Sequence, residues 1–169
     1  MSASQRRRPA PLTPERAWDY ALWLLGRQAY SAAELERRLR RRQLSATESA
    51  RIVARLQELH LLDDARYAEA YVHARRHARG VAALRHELRR KGVAEHHVES
   101  ALGEAGAADQ VAVAAELLEA QAWRFADAGD DDPARARRGR ARAGAFLARR
   151  GFAPEVVHEA LERAWPDDG

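Results

Sequence analysis

Apolar residues recur three and four positions apart along almost the whole chain, and runs that alternate apolar with polar are nearly absent. A period of 3.6 rather than 2 puts one face of each segment indoors as a helix, so the pattern predicts an all-helical protein. The pattern also repeats. Leu39-Arg-Arg-Arg-Gln43-Leu44, Leu88-Arg-Arg-Lys-Gly92-Val93 and Leu147-Ala-Arg-Arg-Gly151-Phe152 superimpose, each at the end of a helix. Gly92 and Gly151 suit the left-handed position just past a helix end, and Val93 and Phe152 are then set to fold back on Leu88 and Leu147.

Each unit is expected to hold three helices. The leading helices are read at about Pro14 to Arg27, Asp64 to Ala78 and Ala107 to Ala126, with Trp18, Leu22, Leu25, Tyr67 and Tyr71 on their apolar faces. Middle helices end at the repeated corners, and last helices carry Ile52 and Leu56, Val98 and Leu102, and Val157 and Leu161. Ser31-Ala-Ala-Glu34 and Ser45-Ala-Thr-Glu48 read as capping boxes. Gly129-Asp-Asp-Asp-Pro133 is a loop, so the third middle helix begins either at Pro133 or, by the register of Gly80, near Gly139. The expected organisation is a basic tail over 1–12, three-helix repeats over 13–62, 63–106 and 107–165, and a short tail over 166–169. Units this small bury too little alone, so they should stack into an elongated, curved tandem array.

Composition narrows the function. No cysteine is present, which excludes disulfides, thiolate zinc sites and cysteine nucleophiles. No stretch approaches the roughly 20 apolar residues of a membrane span and the N-terminus lacks the apolar run of a signal peptide, so a cytoplasmic location without membrane contact is expected. Lys+Arg outnumber Asp+Glu by 29 to 25, and Lys91 is the single lysine, which makes the positive charge almost entirely planar guanidinium.

The arginines cluster. Arg37, Arg38, Arg40, Arg41 and Arg42 lie in the first middle helix, Arg85, Arg89, Arg90 and Lys91 in the second, and Arg149 and Arg150 in the third, with Arg75, Arg76 and Arg79 just before the second. Cations in a last helical turn are favoured by the helix dipole, yet recurrence at one register would line them into a stripe for acidic surface or phosphate. Asp63 and Asp64 read as the cap and first turn of a helix rather than a metal pair, and Asp130 to Asp132 as a loop and cap before Pro133. His73 and His77 share a helical face, but Ala74 stands where a metalloprotease carries its glutamate, so no metal and no other cofactor is expected. Trp18, Trp23, Trp123, Phe125 and Trp165 are expected in the core, although Trp123 and Phe125 beside Arg124 also have the make-up of a base-stacking pair. No glycine-rich phosphate loop, nucleophile elbow or acid–base pair appears, so an enzyme is not expected.

The run Leu62-Asp63-Asp64-Ala-Arg66-Tyr67-Ala-Glu-Ala-Tyr71-Val72, followed by Arg75, Arg76, Gly80, Leu84, Leu88 and Lys91-Gly92-Val93, resembles the central signature of the RecX family. Tyr30-Ser31-Ala-Ala-Glu34-Leu35 with Leu39 resembles that family's first repeat, and Phe146 to Phe152 its last. The family's frequent glycine-proline pair is here Gly80-Val81. The resemblance implies a monomeric regulator that binds the RecA recombinase filament on single-stranded DNA and hinders its extension, ATP hydrolysis, strand exchange and coprotease stimulation, in DNA repair and the SOS response. It also implies weak contact with single- and double-stranded DNA. The rival reading is a DNA binder that acts without RecA, for instance on transcription.

Overall fold

The computed structural model describes residues 12–106 and 109–166, and no strand occurs among them. Helices α1 (Pro14–Leu25), α2 (Ala32–Arg41) and α3 (Ala46–Glu58) surround one core; α4 (Asp64–Arg75), α5 (Val81–Lys91) and α6 (Glu95–Gly106) surround a second. The third core lies among α7 (Gln110–Glu119), a 3-10 helix (Ala122–Gly129), α8 (Pro133–Ala148) and α9 (Pro154–Ala164). Leu39, Leu88 and Leu147 are fully buried, one at the centre of each core.

Local chemistry sets the helix ends. Ser31 forms a full capping box with Glu34, whereas Ser45 accepts from the Glu48 N–H and meets the Glu48 carboxylate through its side chain. The repeated corners close alike: the N–H groups of Leu44, Val93 and Phe152 donate to the carbonyls of Leu39, Leu88 and Leu147 at 3.4, 3.2 and 3.3 Å. Gly92 and Gly151 take φ of 85° and 81° there, and Gln43 takes 66°. The left-handed conformation is free for glycine and costs a Cβ-bearing residue roughly 1 kcal/mol.

The third unit departs from the expected pattern. Instead of one leading helix running on to Ala126, α7 stops at Glu119 and the chain rewinds as the 3-10 helix. Its winding breaks at Phe125 (φ −124°, ψ 22°), and Phe125 and Ala128 make its buried face, with Phe125 edge-on to Phe146 at 5.4 Å. Trp123 falls off that face and is 80% exposed, so it is not a core residue. α8 begins at Pro133, capped by the Asp132 carboxylate on the Ala134 N–H at 2.9 Å, and Gly139 lies inside it against the backbone of Asp127 and Ala128. In α1 the inward positions are Ala17, Ala21 and Leu24; Leu22 faces out, and Trp23 is 54% exposed with its ring stacked on Tyr20. Trp18 and Trp165 are half-buried. Of the expected N-terminal tail, Leu12 packs on the first core, while residues 1–11, with Arg6 to Arg8, lie outside the described residues.

Candidate partner-binding surface

The units meet through the ends of their middle helices. The C-terminal corner of α5 abuts the first turn of α2, and the corner of α8 abuts the first turn of α5. The partial negative end of one helix thus faces the partial positive end of the next, and the orphan groups at both ends find partners.

At the first junction this contact is a polar clasp. The buried Ser31 hydroxyl donates to the Lys91 carbonyl at 2.7 Å, and Arg37 donates to the same oxygen at 3.1 Å. Glu34 accepts from Lys91 Nζ at 2.8 Å and from the Tyr67 hydroxyl at 3.0 Å. Asp63 caps α4, as its place in the sequence requires, but the Asp64 carboxylate turns across the junction and accepts from the Ala32 N–H at 2.8 Å. The second junction is made by close backbone approach instead. Gly80 N–H donates to the Arg150 carbonyl at 2.9 Å, and a Cβ on Gly80 would come within 3.0 Å of the Gly151 carbonyl. A Cβ on Gly151 would come equally close to Ala83.

These junctions bring some of the basic residues together, and others pair within their own unit. Arg37 and Lys91 come together across the first junction, and Arg79 and Arg150 across the second. Arg85 forms a two-pronged pair with Glu99 at 2.9 and 3.1 Å, and Arg89 pairs with Glu95. Glu95 and Glu99, one helical turn apart on α6, were the signal in the sequence for these pairs. Arg75 lies over the Tyr71 ring at 4.0 Å, Arg38 lies 5.8 Å over Tyr30 and Arg42 lies 4.9 Å over Tyr20, while Arg76 meets His77. Arg41, Arg90 and Arg149 are exposed and make no ion pair among the described residues. No group of three His, Asp or Glu is placed to hold a metal ion among the described residues, and no helix there is long and apolar enough to cross a membrane.

Two family models match, the first three-helix domain of RecX over residues 17–56 and the second over 63–102. A regulatory protein RecX of Chromohalobacter salexigens is 38% identical over 87% of this chain and 91% of its own length. The chain belongs to the RecX family. A second RecX, from Chlorobium phaeobacteroides, is 31% identical over 88% of this chain and 93% of its own. The crystal structure of RecX from Lactobacillus salivarius superimposes with a TM-score of 0.74 at 24% identity, covering 89% of this chain and 96% of that one. That likeness extends the RecX fold across all three units.

Within this RecX fold the clasp is expected to weaken in acid. Burial raises the Glu34 carboxyl, but hydrogen bonds from Lys91, Tyr67 and the Ser31 N–H outweigh it and hold the group below the ordinary 4.5. A carboxyl depressed in the folded state contributes stability that is full above the unfolded value and is lost as pH falls through the folded one. We expect the urea midpoint to drop between about pH 6 and about pH 3, and to drop less in Glu34→Gln. An equal drop in both proteins would place the acid sensitivity elsewhere.

Proposed function

We propose that this RecX-family chain binds the RecA filament on single-stranded DNA and inhibits its extension, ATP hydrolysis, strand exchange and coprotease stimulation. The observation that carries the reading is the row of three units with middle helices head to tail, within a chain that matches RecX regulators over nearly their full length. A row can touch successive subunits of a helical polymer at once, and bridging them opposes the motion that accompanies nucleotide turnover. Arg38, Arg41 and Arg90 are exposed and lack carboxylate partners among the described residues, which suits them to acidic RecA surface.

Titration onto preformed RecA filaments tests this. ATP hydrolysis and strand exchange should fall, stoichiometrically with RecA for bridging along the groove and at far lower ratios for capping of a filament end. Unchanged hydrolysis at saturating protein would refute the reading. Replacing Arg38, Arg41 and Arg90 together by Ala should raise the half-inhibitory concentration roughly tenfold without altering the melt, since surface cations outside ion pairs carry little stability. Lys91 is left out of that variant because its ammonium belongs to the clasp.

A further inference from the structure

The two junctions are built at one register but differ in one charge. Lys91 and Arg150 each stand three residues after the buried leucine of their corner, and each carbonyl is taken by the residue eight before the buried leucine of the preceding unit, Ser31 or Gly80. Across the first junction, the position five before the leucine is Glu34, which neutralises Lys91 at 2.8 Å. At that same register across the second junction stands Ala83, so Arg150 meets no carboxylate there.

More positive charge gathers at this point. The guanidinium groups of Arg150 and Arg124 both lie over the buried Phe146 ring, at 3.8 and 5.6 Å from its centre. Arg149 adjoins them, and Arg79 is brought in by the backbone bond between Gly80 and Arg150. Among the described residues Arg79 alone of the four is ion-paired, with Glu87 at 3.7 Å. Burial, and then the charges of Arg79, Arg124 and Arg149, push the Arg150 guanidinium down from its ordinary value. Such a group of cations is relieved by an outside anion. Beside it stands Trp123, whose exposed ring lies 6.0 Å from the Arg124 guanidinium.

We propose that the second junction is a binding site for single-stranded nucleic acid, in which Arg79, Arg124, Arg149 and Arg150 take backbone phosphates and Trp123 stacks on a base. Planar guanidinium forks match phosphate oxygens, and an exposed indole offers a face that only an unstacked base can cover. A duplex keeps its bases stacked, and so would engage the cations alone. DNA contact as such is what the family resemblance implies; the second junction gives it a place and a preference for unpaired bases, and it requires no recombinase.

The test is fluorescence anisotropy of a labelled oligothymidylate with the full chain and no RecA. Arg124→Ala/Arg149→Ala removes two exposed side chains that form no ion pair among the described residues, and a thermal melt checks that the fold is kept. Affinity should fall about tenfold, and the plot of log affinity against log salt should become shallower by about 1.4, near 0.7 for each lost phosphate contact. Trp123→Ala should weaken binding about fivefold or more while leaving that slope unchanged. Parent-like affinity and slope in the double variant would overturn the proposal. So would an absence of binding by the parent, or equal binding of a duplex or of polyglutamate. Inhibition of RecA by the parent would survive any of these outcomes, so the two readings fail separately.

Discussion

Gly151→Ala is expected to lower the unfolding free energy by about 3 kcal/mol and to loosen the third unit from the second. Two independent penalties meet at this residue. Its φ of 81° costs any Cβ-bearing residue roughly 1 kcal/mol or more. The new methyl would also enter space held by the Cβ, Cα and backbone nitrogen of Ala83, and overpacking of this kind costs about 1 to 3 kcal/mol. Backbone at the start of α5 cannot move aside as a long side chain would, so relief must come from opening the junction. Urea unfolding would give the loss, and amide exchange at Gly80, whose N–H donates across the junction, would show whether it is local. Exchange at Gly80 unchanged from the parent would count against a junction effect.

The second large effect comes from the cores. Leu88 and Leu147 occupy the same register and are both fully buried, so truncation of either to Ala should cost about 3 kcal/mol in its own unit. The consequences should differ, because a row of units shares stability only between neighbours. Leu88→Ala weakens the unit that holds both junctions, and exchange protection should fall along the whole chain. Leu147→Ala should release α8 and α9 while α1 to α3 keep their protection. Equal loss everywhere in both variants would mean that the three cores melt as one.

What could be read before the structure was local. Corners, caps and apolar faces follow from residues within a few positions of one another, and Ser31, Asp63, Gly92 and Gly151 behave as their spacing requires. Pairings between elements escaped. Glu34 reaches Lys91 across 57 positions and Asp64 turns to Ala32 across 32, and nothing near either acid announces its partner. The shared register of the arginines says nothing of their partners: α6 and the clasp neutralise Arg85, Arg89 and Lys91, whereas among the described residues Arg38, Arg41, Arg90 and the group at the second junction face no carboxylate but Glu87, which pairs Arg79. Trp123 and Phe125 both carry large apolar rings and both read as core, yet residues two apart do not share a helical face, and only Phe125 turns inward.

The contact between units is head to tail, and contacts of that kind have no natural end: each added member presents the surface the next one needs, so copies of such a chain are at risk of growing into open fibres. Arg42 occupies the register of Lys91 and Arg150, and its carbonyl is already taken by the Leu12 N–H at 2.9 Å. The corner beside it carries Gln43, whose Cβ fills the space that glycine leaves for a neighbour's first turn at the other two corners. At the far end, Ala128 lies against Gly139 at the register where a further corner would dock. The Cβ of one left-handed glutamine, with Leu12 on the Arg42 carbonyl, thus occupies a corner on which a further copy could otherwise dock.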